Sequence, residues 1–400
     1  MTGPLHPLTF ALRADAGTRA RLGADVQRAL GEPASPMPAS MIGETPLVMS
    51  ARLHAEVDAR TRLLADWVAA QHASGRWRDD PRWPRVGAPD CLCIDLAIVH
   101  DESHPEGWGV RWVEFQAFLS LSATVHALHE AARREWPALA DLRPWDRSPR
   151  FGDDWLAASR HWMAPAGDGI LLEHAPHAQG TAFDLQGSAH LWNLRLVDTA
   201  DLRLLGEQLQ SRDGTGWAPV SHVVNRYIVH EQPEATALHR ALAQARVTWR
   251  NHPAWFDRVH KGLLPELPLA AHERCARADH WRTLGLPAQA LVLKASNSWG
   301  GAQVRLDVDA AQLDALPDAA RWIVQPRYRA LPLLQARDGA PLLAELRVML
   351  ALEGGAAPWV AARMARVSRG PVAGARFWRG LPGEGACPLY PPPDASSTVL

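Results

Sequence analysis

A chain of 400 residues, 47% of them hydrophobic, is long enough to bury a large core and to form two or three packed units. Its 42 basic and 43 acidic side chains leave a formal charge of -1, which argues against nucleic-acid binding through a general basic field. Four cysteines, a start without an apolar signal segment and no apolar run of roughly 20 residues predict a cytoplasmic protein that does not enter a membrane.

The first 85 residues predict a helical section that packs on the rest of the chain. Residues 16–30 have the composition of a helix, and a connector rich in Pro, Ser and Met follows. Ser50 is a typical helix N-cap, because Leu53, Val57 and Val68 follow at spacings that suit one apolar helix face. This section carries no obvious chemistry.

Two strands are predicted next, at residues 91–99 and 110–118, with a polar excursion between them. Side chains alternate along a strand, so Trp112, Glu114 and Gln116 are expected on one face of the second strand and the residues between them on the other.

A hairpin pairing of these strands would bring Asp95 beside Glu114 and Gln116. Two carboxylates and an amide oxygen are the ligands that Mg2+ prefers. A solvated polar sheet face would show the same alternation. Cys91 and Cys93 are better explained as buried thiols than as a zinc site, because no second cysteine pair or nearby histidine spacing completes one.

A polar pair, Asn225 and Arg226, interrupts the apolar strand predicted over residues 220–229. A charge within a buried strand needs a partner. An anionic substrate or nucleotide is one candidate, and an internal ion pair with Glu231 or Asp198 is the other.

Residues 291–304 predict a strand, a turn that contains Gly300 and Gly301, and a return strand. Glycines let backbone N–H groups approach an anion closely, and Lys294 at the strand end can reach the same space, so phosphate is the expected ligand. An ordinary hairpin with a solvated lysine is the alternative. Lys294 and Lys261 are the only lysines among the 42 basic residues, which suggests sites that accept a compact mobile charge and not the arginine fork; chance survival of two lysines is the alternative.

The C-terminal third predicts three further strands. The strand that begins at Trp322 ends at Gln325 and a proline, where free backbone groups could bind a flat heterocycle. Glu345 and Arg347 fall on one face of the next strand, and the strand at residues 360–367 carries Arg363 and Arg366.

This order of motifs, over residues 90–370, resembles the ATP-grasp fold. In most ATP-grasp proteins the metal motif comes last, whereas Asp95, Glu114 and Gln116 come first here, as in the circularly permuted ATP-grasp proteins typified by the glutathionylspermidine synthetase ATP-binding domain. The resemblance implies an α+β fold in which two subdomains clasp a nucleotide. The expected division is an N-terminal helical section at 1–85, a metal-site and substrate subdomain at 86–250, and a lid and hinge subdomain at 251–400.

The resemblance also implies ATP and Mg2+ as cofactors and a role for each matched residue. These are Arg226 and Arg347 for catalysis; Lys261, Lys294, Gly300, Gly301, Gln325 and Glu345 for the nucleotide; and Asp95, Glu114 and Gln116 for the metal. Three positions depart from the family pattern, since Gln116 replaces Asn, Ala295 replaces Pro and Gln303 replaces Gly.

The implied reaction is ligation of a small-molecule or peptide carboxylate to an amine, with an acyl phosphate as intermediate and ADP as product. A non-catalytic relative that binds nucleotide or serves as a scaffold is the alternative. A hydrolase or another metal enzyme would need a nucleophile elbow or ordered histidine spacing, and the 18 histidines show neither.

Overall fold

A computed structural model describes residues 3–4, 8–12, 14–78, 82–83, 86–165, 169–214, 216–228, 236–298, 303–354, 357–374 and 377–393. Within those residues the fold is α+β, as predicted, with helices packed on one large sheet and three smaller sheets. No helix in the described part of the chain is long and apolar enough to cross a membrane.

The strands, in chain order, are β1 (Gly3–Pro4), β2 (Thr9–Ala11), β3 (Leu47–Met49), β4 (Cys91–His100), β5 (Trp108–Gln116), β6 (Ile170–Glu173), β7 (Arg195–Asp198), β8 (Leu202–Leu205), β9 (Gln208–Arg212), β10 (Trp217–Pro219), β11 (His222–Asn225), β12 (Thr248–Arg250), β13 (Ala276–Arg277), β14 (Leu291–Ala295), β15 (Val304–Arg305), β16 (Trp322–Pro326), β17 (Leu334–Gln335), β18 (Pro341–Ala351), β19 (Trp359–Ser368) and β20 (Gly385–Tyr390). The helices are α1 (Thr18–Ala29), α2 (Ala51–Ala73), α3 (Ser122–Glu135), α4 (Trp155–Met163), α5 (Ala182–Trp192), α6 (Thr236–Gln244), α7 (Pro253–Arg258) and α8 (Ala310–Asp314).

The largest sheet joins strands from both ends of the described chain. Its order is β2-β3-β20-β19-β18-β17-β1, and β4 and then β5 extend it from the second half of β18. The antiparallel register of β18 puts Arg347 opposite Asp95 of β4 and Glu345 opposite Arg366 of β19. Glu114 of β5 lies opposite Asp95 in turn. Four neighbouring strands therefore bring five charged residues to one region of the sheet.

Helix α2 covers the other face of this sheet. The Oγ of Ser50 accepts a hydrogen bond from Leu53 N–H at 3.2 Å, which confirms the predicted cap. The apolar stripe of α2 lies in one core with strand residues, including Leu53, Val57, Leu64, Val68, Ile94, Leu346 and Val348. The first 85 residues, predicted as helical, also supply β1, β2 and β3 to the sheet. The domain boundaries stay predictions.

A second sheet has four parallel strands in the order β12-β11-β6-β7. In the chain, α5 lies between β6 and β7, and α6 lies between β11 and β12. The connection from β6 thus leads through α5 to β7 on one side, and the connection from β11 leads through α6 to β12 on the other side of the sheet. Ligands of open α/β sheets bind at the carboxyl ends of such strands, and Arg226 directly follows β11 there.

The third sheet has the order β13-β16-β14-β15, and α8 packs on it through Leu313. β14 pairs antiparallel with β15, with Lys294 opposite Val304, which confirms the predicted strand pairing. Gly300 and Gly301, at the predicted tip, lie outside the described residues. A small antiparallel sheet of β8, β9 and β10 completes the set of sheets in the described chain.

Candidate functional site

Two arginines converge on one buried aspartate at the charged region of the largest sheet. Arg347 donates from Nε and Nη2 to the two oxygens of Asp95, each at 2.7 Å. Arg366 donates from Nη2 to Asp95 Oδ2 at 2.6 Å and pairs with Glu345. Burial raises the pKa of Asp95, but the two arginines outweigh burial and hold that pKa well below its usual range. Asp95 is therefore an ionised anchor that orients two guanidinium groups.

This geometry bears on the predicted magnesium ligands. Because guanidinium groups occupy both oxygens of Asp95, the structure favours Asp95 as their anchor over a role as a metal ligand. Gln116 donates from Nε2 to Phe118 O at 3.3 Å, so its amide oxygen is the atom left to meet a cation. No three His, Cys, Asp or Glu side chains of the described residues lie close enough to form a metal site. The magnesium site stays a prediction, with Glu114 and Gln116 as its better donors.

The cysteine pair on β4 belongs to the protein interior. Cys91 and Cys93 are buried free thiols, and burial raises the pKa of Cys93 to about 12. Cys91 Sγ donates to Asn251 Oδ1 at 3.2 Å. Neither thiol is disposed to act as a thiolate ligand.

A β-bulge in β5 changes the faces that strict alternation predicts. The register with β4 shifts directly after Asp95, so Glu114 and Trp112 lie opposite consecutive residues and Val113 falls outside the register. Trp112 is thereby buried in the same core as Phe115, at 6.2 Å between ring centroids. The prediction that Trp112 shares a face with Glu114 is wrong, because the bulge adds a residue to β5.

The bulge also turns two carbonyl groups towards the third sheet. Gln325 Nε2 donates to Trp112 O at 2.6 Å, and Lys294 Nζ donates to Val113 O at 2.8 Å. These bonds fasten β16 and β14 to β5. Lys294 is buried here, and burial lowers its pKa to about 8.

Lys261 reaches the same place from a short 3-10 segment. A bridge between His260 and Gln116 holds the start of that segment beside β5. Lys261 Nζ lies 3.0 Å from Glu114 Oε2 and also donates to Ser298 O. Both lysines of the chain thus meet at β5, although 33 sequence positions separate them.

A cleft of about 160 Å³ lies between the third sheet and the charged region of the largest sheet. Apolar side chains such as Val99, Val292 and Leu343 form part of its wall. The residues of the predicted site that line it are Glu114, Lys294, Gln325 and Glu345, and Arg366 joins them. Lys261 and Arg347 stand behind the lining, in contact with Glu114 and Asp95 respectively.

Arg226 lies at a separate place, in the second sheet. It is 6% exposed, and its Nη1 donates to Asp184 Oδ2 at 3.0 Å. Asp184, on α5, also accepts the backbone N–H groups of Leu121 and Thr124 at the start of α3, each at 3.1 Å. The partner is therefore neither of the two residues expected from the sequence, and the catalytic role of Arg226 stays a prediction.

No protein-family model matches the sequence, and no curated protein matches it. The fold is similar to that of a glutathione synthetase-like protein. The apo structure of a glutathione synthetase-like effector from Globodera pallida matches 95% of this chain and 98% of its own, with a TM-score of 0.55 and 11% identity. At that identity the likeness concerns the fold alone, and it bears on neither the circular permutation nor any residue's role.

Arg366 is the cleft residue to which the sequence assigned no role. Arg363 and Arg366 are three positions apart on β19, so they project from opposite faces. Arg363 is 1% exposed on the α2 side and donates to Asp146 Oδ1 at 2.7 Å. Arg366 instead contacts Asp95 and lines the cleft. The alternation of side chains along a strand is the sequence signal that could have placed Arg366 on the cleft face and Arg363 on the opposite face.

Proposed function

We propose that the protein is an ATP- and Mg2+-dependent ligase that joins a carboxylate to an amine, on a circularly permuted ATP-grasp fold. The observation that carries this proposal is the charge of the cleft region. Among the described residues five cations meet four carboxylates there: Lys261, Lys294, Arg327, Arg347 and Arg366, with Asp95, Glu114, Asp307 and Glu345. One positive charge in excess suits a polyphosphate. The fold likeness to a glutathione synthetase-like protein supports the same class.

The proposed roles of single residues run from the apolar part of the cleft, where adenine would bind, to its charged part, where the phosphates would bind. Gln325 faces adenine, Glu345 contacts the nucleotide, and Lys261 and Lys294 contact the phosphates, which Gly300 and Gly301 cover. Glu114 and Gln116, beside Asp95, would hold Mg2+, which when bound would neutralise negative charge on the phosphates.

Arg347 and Arg226 are proposed to act on the carboxylate substrate and on the phosphoryl group that it receives. A substrate carboxylate oxygen attacks the γ-phosphorus in line while the bond to ADP breaks, and Arg347 stabilises the charge of the transferring group. The amine nitrogen then attacks the acyl carbon, phosphate leaves, and the nitrogen loses its proton. The products are an amide, ADP and phosphate.

A hydrogen-bonded path supports a carboxylate site between these two arginines. Arg347 Nη1 lies 3.3 Å from Ser120 Oγ, and the next residue, Leu121, donates its N–H to Asp184, the partner of Arg226. The same loop therefore contacts Arg347, behind the cleft lining, and Asp184, the partner of Arg226 at the end of β11. A carboxylate held by Arg226 would approach the γ-phosphate from that side.

Lys294→Met is expected to weaken ATP binding by about 1–3 kcal/mol, the range for a hydrogen bond to a charged group. Methionine keeps the side-chain length and removes the charge. Isothermal titration calorimetry measures the effect. Arg305→Met is the matched control, because Arg305 is an exposed cation on the neighbouring strand and does not line the cleft. Equal affinity of a folded Lys294→Met variant and the wild type would contradict the assignment.

ATP affinity is also expected to fall as the pH rises through about 8, because burial lowers the pKa of Lys294 to about 8. Below that pH the ammonium is charged and attracts phosphate; above it the amine is neutral. Calorimetry from acid to alkaline pH should show this fall in the wild type. Lys294→Arg should lack the fall, since arginine stays charged throughout. A flat wild-type profile would show that Lys294 does not meet the phosphates.

Nucleotide binding without turnover is the second candidate function. The arginines on Asp95 favour it, because they occupy the carboxylate that the ligase proposal expects near the metal. A thermal-shift comparison of ATP with Mg2+ and ATP with EDTA tests both. A larger shift with Mg2+ supports the ligase, an equal shift supports the second candidate, and no shift opposes both.

A further inference from the structure

Lys261 and Glu114 are paired with each other in the structure, although the proposed function needs each of them for a different ligand. The ion pair joins Lys261 Nζ to Glu114 Oε2 at 3.0 Å. Lys261 is 4% exposed, and the side chain of Glu114 is 18% exposed. The pair therefore lies at the border of the cleft, with its anionic partner turned towards the cavity.

This pairing opposes the approach of phosphate. Two of the three ammonium donors of Lys261 are used by Glu114 and by Ser298 O. Glu114 cancels most of the charge that Lys261 would offer, and its carboxylate repels an incoming polyphosphate. Lys294 differs in its contact, because it donates to the neutral carbonyl of Val113 and feels Glu114 only through the charge that raises its pKa.

We propose that Glu114 is a metal-operated latch on Lys261: Glu114 holds Lys261 until it exchanges the lysine for a divalent cation, and the released lysine then binds phosphate. The inference rests on the proposed function and adds its regulation. Glu114 changes only its partner between the two arrangements. Nucleotide and cation therefore strengthen each other's binding by the same factor, because coupling between two ligands is reciprocal.

The latch has an unusual consequence for Glu114→Gln. Glutamine keeps the shape of Glu114 but cannot hold Lys261 by charge, so without a metal Lys261 is released from its ion pair and keeps its hydrogen bond to Ser298 O. ATP measured by calorimetry in EDTA should bind about tenfold more tightly to Glu114→Gln than to the wild type, a difference of about 1.4 kcal/mol. The same variant should lose the gain in ATP affinity that Mg2+ gives the wild type.

A double-mutant cycle with Lys261→Met separates the latch from a general change of charge. In the Lys261→Met background, Glu114→Gln removes the same negative charge but has no lysine to release. The gain in metal-free ATP affinity should therefore shrink to a small fraction of its value in the wild-type background. An equal gain in both backgrounds would overturn the latch.

Amine acylation followed by peptide mass spectrometry tests the latch without nucleotide. The chain has only two lysines, so the rate at Lys294 measures the general effect of the lost negative charge on an amine of the same cleft. Lys261 should be acylated several-fold faster in Glu114→Gln than in the wild type. Lys294, which has no ion pair with Glu114 but whose pKa the Glu114 charge raises, should gain much less. A Lys261 rate that is unchanged, or that rises no more than the Lys294 rate, overturns the latch even if ATP binds as proposed. A faster Lys261 rate without any ATP binding supports the latch and opposes the proposed function.

Discussion

Asp95→Asn is expected to lower the free energy of unfolding by about 3–5 kcal/mol, the range for removing one partner of a buried ion pair. Asp95 is 1% exposed and accepts three hydrogen bonds from two buried arginines. Asparagine has nearly the same shape but no charge, so Arg347 and Arg366 would keep two buried positive charges with Glu345 and Glu114 as the remaining carboxylates beside them in the described chain. Urea unfolding of the variant and the wild type measures the loss.

Asp314→Asn is the control for this experiment. Asp314 and Arg282 also form a bidentate contact, through Nη1 and Nη2 with both distances at 2.6 Å, but on the protein surface. Trp281 Nε1 donates to Asp314 Oδ1 at 3.1 Å, a bond that the asparagine oxygen can still accept. Water screens that pair, so its loss should not move the unfolding midpoint measurably. If both variants behaved alike, burial of the Asp95 cluster would have no energetic consequence.

The dependence of stability on acid pH is a second test of the Asp95 ion pairs. The unfolded chain has an ordinary aspartate pKa of about 3.9, whereas the arginines hold the pKa of Asp95 in the folded protein well below it. The unfolded state therefore takes up more protons as the pH falls, so the stability from Asp95 is present above about pH 4 and lost below it. The wild type should lose stability more steeply than Asp95→Asn in that acid range.

Turnover with γ-labelled ATP and pools of carboxylates and amines is expected to release label as inorganic phosphate together with ADP. The cations of the cleft would stabilise charge at the γ-phosphoryl group during in-line transfer. Glu114→Gln should abolish this turnover while the fold stays intact, although the latch predicts tighter metal-free binding by the same variant.

The position of the label separates the possible mechanisms. Label in pyrophosphate would refute the acyl-phosphate route, because it requires attack at the α-phosphate. No consumption of ATP with any pool would favour the non-catalytic candidate. Persistence of turnover in Glu114→Gln would remove Glu114 from the proposed metal site.

Helix caps and hairpins could be predicted from the sequence, because the residues that determine them are close together in the chain. The Ser50 cap of α2 needs only Leu53, and the pairing of β14 with β15 follows from two apolar segments around a glycine turn. Register over long range has no such signal. Asp95 and Arg347 are 252 positions apart, and a shift of one residue in either strand would separate them.

The same limit explains the errors within the site. Alternation cannot show that β5 carries one extra residue at Val113, because a bulge is defined only against its partner strand. The partner of Arg226 lies on a helix 42 positions earlier in the chain, and no strand pattern points to Asp184. The polar residues were recognisable from the sequence, whereas their partners depended on tertiary packing.

The position of β4 in the largest sheet has a consequence for biosynthesis. During translation β4 and β5 leave the ribosome long before β18, with which β4 must pair. Until then the edge of β4 is open and Asp95 has neither arginine beside it, which exposes the nascent chain to wrong strand pairing. Pairing between such distant segments also slows folding. The charged cleft can therefore assemble only when translation has passed β19, and chaperone protection of β4 would matter most before that point.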